Sequence, residues 1–227
     1  MIFDFDYQAS DSPFVETIWR TRSGENTGES FTSTAVTNLE MVIMRQAGQT
    51  FFTLRGPETR ATPAPIPENA EFFGIMFKLG TYMPHLPTSN LTDAPVNLPD
   101  ATSQSFWLHG SAWEFPDFEN ADTFIARLVR EGLLVHDPVV DAVLQEQEPN
   151  LSIRQVRRRF LTATGLTHGA IRQIKRARQA LSLLEQGLPI LDVVFEAGYF
   201  DQPHLTRSLK HLMGQTPAQI ARLNQTE

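Results

Sequence analysis

Hydrophobic positions in the first half of the chain fall in short runs bounded by turn residues, a pattern typical of antiparallel strands. The runs predict strands at residues 14–22, 31–37, 39–45, 50–55, 72–79 and 105–109. The run at 72–77 is continuously apolar, as expected for a strand that is covered on both faces or lines a barrel. Two proline-rich stretches, 61–67 and 83–99, are predicted to be loops. Together these elements predict a small β-barrel or sandwich.

After about residue 118, hydrophobic residues recur at the three- and four-residue spacing of helices. Capping residues and first-turn prolines mark the starts, and glycines mark the ends. The predicted helices are 121–134, 138–146, 152–164, 167–186, 189–197, 201–213 and 216–223. Short helices joined by tight turns suit two helix-turn-helix motifs. The predicted fold class is therefore α+β: a β-rich domain at 1–118, which the family resemblance described below implies is cupin-like, an interdomain helix at 119–136 and an all-α domain at 137–227.

The predicted helix at 152–164 has an apolar back and a basic front. Its predicted buried stripe consists of Ile153, Val156 and Phe160. Its predicted DNA contacts are Arg154, Gln155, Arg157 and Arg158. Arginine can bind guanine edges in bidentate fashion, and glutamine can bind adenine, in a major groove about 12 Å wide. We therefore predict that this is a recognition helix, the alternative being a solvated basic helix.

The predicted helix at 201–213 repeats this arrangement. Its predicted buried stripe consists of Leu205, Leu209 and Leu212. Its predicted DNA contacts are Gln202, His204, Arg207 and Lys210. Gln202 and His204 lie in the first turn, which normally meets base edges. A structural or solvated role fits His204 equally well.

Charge is divided unevenly along the chain, although its net value is −7. Residues 1–138 carry 8 Lys and Arg against 18 Asp and Glu, whereas residues 139–227 carry 11 against 8. Between residues 152 and 184 there are eight basic residues and no carboxylate. Such a segment suits a polyanion, although from charge alone a solvated helical face fits as well.

Several functional classes are disfavoured by composition. Because there is no cysteine, disulfides, thiolate zinc sites and cysteine nucleophiles are excluded. His85, His109 and His136 are widely separated, so neither a metal nor another cofactor is predicted. No run approaches the roughly 20 apolar residues of a membrane helix, and the acidic start differs from a signal peptide. We expect a cytoplasmic protein with no membrane partner.

Two segments resemble the AraC/XylS family of transcription regulators. Residues 166–180 (LTHGAIRQIKRARQA) are similar to the long connecting helix of that family. Residues 197–210 (AGYFDQPHLTRSLK), followed by 214–217 (GQTP), are similar to its second motif and closing signature. The resemblance covers about residues 137–222. It implies a bipartite, seven-helix domain that reads two adjacent major-groove segments of double-stranded DNA.

The same resemblance implies further partners: a small-molecule effector, RNA polymerase and a second copy of the chain. Aromatic residues in the first half can line an effector pocket or simply form the core; they are Phe51, Phe52, Phe73, Phe77, Phe106, Trp107 and Trp113. Arginines there can hold an anionic effector or form ion pairs, and ion pairs are favoured. They are Arg20, Arg22, Arg45, Arg55 and Arg60.

The chain is predicted to be a regulator and not an enzyme, with two rival hypotheses. A cupin-type enzyme with a helical appendage would require a convergent polar cluster in the barrel, which the sequence does not show. An interaction protein could keep the helical fold without reading DNA. Pro203, which has no N–H to donate, favours that second rival.

Overall fold

The computed structural model describes residues 4–25 and 30–223. Residues 1–3, at the start of the predicted first domain, and residues 224–227, at the end of the predicted last domain, lie outside the described residues. The described strands are β1 Asp4–Gln8, β2 Val15–Arg22, β3 Ser30–Ser33, β4 Glu40–Gln46, β5 Gln49–Arg55, β6 Thr62–Pro65, β7 Glu71–Phe77, β8 Thr81–Tyr82, β9 Val96–Leu98, β10 Asp100–Thr102, β11 Ser105–Leu108, β12 Ser111–Glu114 and β13 Val135–His136. The helices are α1 Ala121–Arg130, α2 Pro138–Leu144, α3 Ile153–Thr164, α4 His168–Glu185, α5 Ile190–Glu196, α6 Gln202–Leu212 and α7 Pro217–Leu223.

The predicted α+β class, with strands first and helices after them, is confirmed. Each predicted strand and helix overlaps an observed one. The largest sheet is antiparallel, in the order β1-β2-β7-β4-β5-β9, and is open along its two edges within the described chain. Three smaller sheets pair β10-β11-β12, β13-β8 and β3-β6. The described strands therefore form an open sheet and not a closed barrel; the sequence left a barrel and a sandwich as alternatives.

Strand β7 lies inside the large sheet, between β2 and β4. Its apolar run arises because Phe73, Ile75 and Phe77 are buried in the core. On the other face, the Trp19 indole crosses Gly74 so closely that a Cβ there would lie 2.2 Å from Cε2. Phe72 and Met76 on this second face are half-buried, so the prediction of a strand covered on both faces is confirmed only in part, and Gly74 is required by the tryptophan.

Helix α1 completes the core beneath the sheet. It is amphipathic, with Ala121, Phe124, Ile125 and Leu128 buried against the strands. Phe124 lies in a cluster of rings with Phe52, Phe106, Phe115 and Trp113. Of the aromatic residues predicted for the first half, Phe52, Phe73, Phe77, Phe106 and Trp113 are core, whereas Phe51 and Trp107 are exposed.

The predicted loop at 61–67 is wrong, because β6 forms there and pairs with β3. Pro63 and Pro65 occupy alternate positions of β6, opposite Thr32 and Ser30. In an antiparallel pair, alternate residues need no N–H for the partner strand, so two prolines two residues apart can both be accommodated. We refer to these paired strands as the β3–β6 ribbon.

Short elements account for the other differences from the sequence predictions. The stretch 83–99 was predicted to be irregular, yet Val96–Leu98 forms β9, paired with β5. The helix predicted at 121–134 ends at Arg130, after which Val135–His136 pairs with β8. Strands of two to five residues show too few alternations to be distinguished from loops.

The chain divides into two compact units. The first consists of the described residues of Met1–Glu29 with Asn38–Pro57 and Ile66–Thr167. The second consists of Ser30–Thr37, Glu58–Pro65 and the described residues of His168–Glu227. The first unit thus contains α2 and α3, and the second contains the β3–β6 ribbon. The units divide the chain differently from the predicted boundaries at 118 and 136, whose functional meaning stays a prediction.

In the part of the chain that the structure describes, no helix combines the length and apolarity needed to cross a membrane. Over the same residues, no group of three or more His, Asp or Glu side chains is arranged to hold a metal ion.

Candidate nucleic-acid interface

Helix α3 begins with a capping box. Ser152 Oγ accepts a hydrogen bond from the Gln155 N–H at 3.3 Å, and Gln155 Oε1 accepts one from the Ser152 N–H at 3.0 Å. These bonds satisfy two of the free N–H groups at the helix start. Gln155, predicted to contact DNA, therefore also fixes the start of the helix through its side-chain oxygen.

The buried part of α3 is its C-terminal half. Phe160 is buried together with Ala163 and Thr164, and Val156 is half-buried. Ile153, in contrast, is 73% exposed, so its predicted place in the buried stripe is wrong. It is the first residue of the helix, one turn or more before the buried residues.

The front of α3 is exposed as the helical periodicity predicted. Arg154, Gln155, Arg157 and Arg158 are all exposed. Arg159 turns back to bind Asp137 in bidentate fashion, with N···O distances of 2.9 and 2.7 Å. This hydrogen bond raises the pKa of Arg159. Asp137 is also the N-cap of α2, so the pair joins the two helices of the first motif.

Helix α6 is the corresponding helix of the second unit. Asp201 caps it by accepting the His204 N–H at 2.7 Å. Leu205, Leu209 and Leu212 are buried, which confirms the predicted stripe. The exposed positions are Gln202, Pro203, Arg207, Lys210 and His211. The outward face of α6 therefore presents the side chains that the sequence indicated.

Tyr199 fixes the turn between α5 and α6. It is buried, and its hydroxyl group and Ser208 Oγ lie 3.0 Å apart in a hydrogen bond. The His204 ring packs edge-on against it at 5.1 Å between centroids, and the Arg176 guanidinium lies 4.5 Å from the ring centroid. Half-buried His204 thus has a structural contact, and its DNA contact stays a prediction.

The C-terminal end of α6 is capped by segments of the first half of the sequence. The last carbonyl groups of a helix lack partners within it. Here the Ala61 N–H donates to His211 O and the Ala35 N–H donates to Leu212 O, both at 2.8 Å. Lys210 Nζ donates to Gly214 O at 2.9 Å, so this exposed ammonium group also stabilises the helix end.

A cavity of about 420 Å³ lies between α4 and α6 in the second unit. Its lining mixes apolar residues with polar and basic ones, which include Gln173, Arg176, His204, Arg207 and His211. Two predicted DNA contacts, His204 and Arg207, therefore share one rim.

The basic residues of segment 152–184 fall into two groups. Arg159, Arg176 and Arg178 are held by hydrogen bonds within their own units. The other five are exposed, namely Arg154, Arg157, Arg158, Arg172 and Lys175. The Asp137 carboxylate offsets the charge of Arg159, whereas Arg176 and Arg178 bind carbonyl oxygens and keep their charge, and Arg178 is also exposed.

A second cavity, of about 600 Å³, opens on the large sheet of the first unit. Arg20, Arg22 and Arg45 contribute to its lining. Arg20 pairs with Asp6 and Arg22 with Glu71, each at 2.7 Å. Ion pairing, favoured from the sequence for these arginines, is thus observed for Arg20 and Arg22.

The sequence reasoning missed the role of Arg159 and three exposed apolar side chains. Leu191, Phe195 and Phe200 are 62%, 81% and 91% exposed. For the first two the helical spacing gave a signal, because Val193 and Val194 form the buried side of α5. Positions 191 and 195, four residues apart, lie together on another face.

Comparison with known proteins gives a local match. Residues 147–222 match a family model described as "Helix-turn-helix domain". A search of the curated proteins found no significant match.

Two structures of ToxT from Vibrio cholerae align over nearly the whole chain. One covers 98% of this chain and 99% of its own, with a TM-score of 0.39. The other, from strain O395 with (E)-4-(8-methylnaphthalen-1-yl)but-3-enoic acid bound, covers 99% and 100%, with a TM-score of 0.40. Both share 10% sequence identity with this chain. At scores this low they do not establish a common fold.

The family match extends over α3 to α7, the helices that carry the exposed basic faces and the two sequence segments described above. Residues 147–222 of this chain are therefore an AraC-type helix-turn-helix domain, the DNA-binding domain of a family of transcription regulators.

Proposed function

We propose that this protein is a sequence-specific, double-stranded DNA-binding transcription regulator that reads two adjacent major-groove segments with α3 and α6. The observation that supports this most is the pair of capped helices, each with a buried apolar side and an exposed face of Arg, Gln or Lys. Such faces combine charge for the phosphates with groups for the base edges.

The polar residues divide into three groups under this proposal. Arg154, Arg157, Arg158 and Arg207 bind base edges, together with the amide groups of Gln155 and Gln202. Lys210 and His204 lie at the margins, because Lys210 is bound to a carbonyl group and His204 packs on Tyr199. Exposed Arg172 and Lys175 on α4 are suited to the phosphates.

The β-sheet part of the first unit, as distinct from α3, supplies the regulatory part in this proposal, by binding a small-molecule effector or a second copy of the chain. Its cavity on the large sheet supports the effector role by size alone. Contact with RNA polymerase, and a homodimer that covers two half-sites, complete the proposal.

The test is selection from a randomised duplex library with the full-length chain. A regulator enriches one sequence family, and an unlabelled duplex of that family competes far better than a scrambled one. An interaction protein that does not read DNA enriches none. A specific complex typically binds about 10³-fold or more tighter than the same protein on random duplex.

A further inference from the structure

The side chain of Phe200 is exposed to solvent just before α6, the second proposed recognition helix. It is 91% exposed, which is the highest value among the large hydrophobic residues that the structure describes as exposed. Its neighbours are fixed: the Tyr199 N–H donates to Val194 O at 2.8 Å, and Asp201 caps α6. The backbone on both sides is therefore constrained while the ring remains uncovered.

This position coincides with the end of α6 that meets base edges in helix-turn-helix proteins. Phe200 directly precedes the N-cap residue, and the exposed residues that follow are Gln202 and Pro203. Pro203 has no N–H to donate. The start of α6 is thus partly apolar, whereas Arg207 and Lys210 make the following turns basic.

An apolar group at a major-groove edge has one specific partner among the bases, the C5 methyl group of thymine. We infer that Phe200 contacts such a methyl group and so determines thymine at one position of the binding site. This inference rests on the proposed function, and it assigns specificity to a residue that forms no hydrogen bond to the base.

The other exposed apolar side chains of this motif differ in their surroundings. Leu191 and Phe195 lie on α5 with Asp192 and Glu196, which are also exposed. These carboxylates disfavour a nearby phosphate backbone. Phe195, 81% exposed, therefore provides a matched control for Phe200: the same residue type, nearly the same exposure, but an acidic setting.

The experiment uses the full-length chain and the duplex family enriched by selection. Each thymine is replaced singly by deoxyuracil, which removes only the C5 methyl group, and affinities are measured for the wild type, Phe200→Ala and Phe195→Ala. For the wild type we expect a loss of about fourfold at one thymine, the equivalent of one methyl group leaving contact. Phe200→Ala should bind thymine and uracil equally at that position, and Phe195→Ala should behave as the wild type.

The experiment distinguishes a failure of the inference about Phe200 from a failure of the proposed function. If selection enriches no sequence, the proposed function itself is contradicted. If a sequence is enriched but no thymine shows the effect with wild-type protein, the inference is overturned and the proposed function stands. The inference is also overturned if Phe200→Ala weakens binding equally on the thymine and uracil duplexes, so that the preference for thymine is unchanged. Because Phe200 is 91% exposed, its truncation should leave the fold intact, and urea denaturation of Phe200→Ala checks this.

Discussion

At the scale of single residues, charge alone does not decide which arginines are available to DNA. Arg159 and Arg158 are neighbours on α3, yet Arg159 forms a bidentate pair with Asp137 whereas Arg158 is exposed. Helical periodicity correctly predicted the outward positions of α3 and α6. It did not predict that Arg159 binds Asp137, because that carboxylate is 22 residues away in the sequence.

Replacing Arg207 tests base reading by α6. Arg207→Ala should weaken binding to the selected duplex by about 1 to 3 kcal/mol and weaken binding to random duplex much less. The reason is that a bidentate contact to a base edge is lost only on the cognate sequence. Fluorescence titrations on both duplexes at one salt concentration measure this difference. Equal losses on the two duplexes would assign Arg207 to the phosphates instead.

Replacing Asp137 tests the link between α2 and α3. Asp137→Ala removes the N-cap of α2 and the partner of Arg159, and should lower the free energy of unfolding by about 1 to 3 kcal/mol. The range is modest because the Arg159 side chain is 40% exposed. Urea denaturation measures it, with exposed Glu148→Ala as control. An unchanged midpoint for Asp137→Ala would show that the pair contributes no net stability.

The lowered pKa of His85 predicts that the free energy of unfolding depends on pH. Burial lowers its pKa from 6.5, and the charge of His109, whose ring centroid is 4.7 Å away, lowers it further. Because the unfolded chain then takes up this proton more readily, the free energy of unfolding should fall as pH drops from 6.5 through the lowered pKa. His85→Gln should reduce that fall in urea titrations between about pH 7 and 5. An identical fall in the variant would assign it to other groups.

At the scale of elements, the β3–β6 ribbon and α6 depend on each other. The ribbon is a two-stranded sheet, which is marginal by itself in water. Flanking residues Ala35 and Ala61 donate to the last carbonyl groups of α6, and Gly214 lies against Thr32. The prolines of β6 concealed this strand in the sequence, and its partner helix is far away in the chain. The predicted helices were easier, since their hydrophobic periodicity is local in the sequence, and α2, α3 and α6 also carry side-chain caps.

Gly214→Ala tests this contact. Gly214 has φ +78°, and an added Cβ would lie 2.6 Å from Thr32 Cγ2. Gly187, which follows α4, has φ +85° and open space around it, so Gly187→Ala carries the same backbone cost without the clash. We expect Gly214→Ala to lower the free energy of unfolding, measured by urea denaturation, by about 1 to 3 kcal/mol more than Gly187→Ala does. Equal losses in the two variants would show that the ribbon accommodates the added Cβ without loss of stability.

At the scale of the whole molecule, acidic and basic regions are separated along the chain. Residues 1–138 are strongly acidic, and the exposed arginines and lysines of α3, α4 and α6 stand out against the net charge of −7. The division into units was not predictable from the sequence. The boundary signal at residue 118 is a change of secondary structure, whereas Ile153–Thr164 and the ribbon each pack with residues distant in sequence.

The central claim is that α3 and α6 are both recognition helices. It is tested most directly by guanine N7 methylation interference on the selected duplex, because N7 lies in the major groove. The claim predicts two blocks of interference about 10 base pairs apart, with Arg158→Ala weakening only one block and Arg207→Ala only the other. A single block, or the same block weakened by both variants, would contradict it.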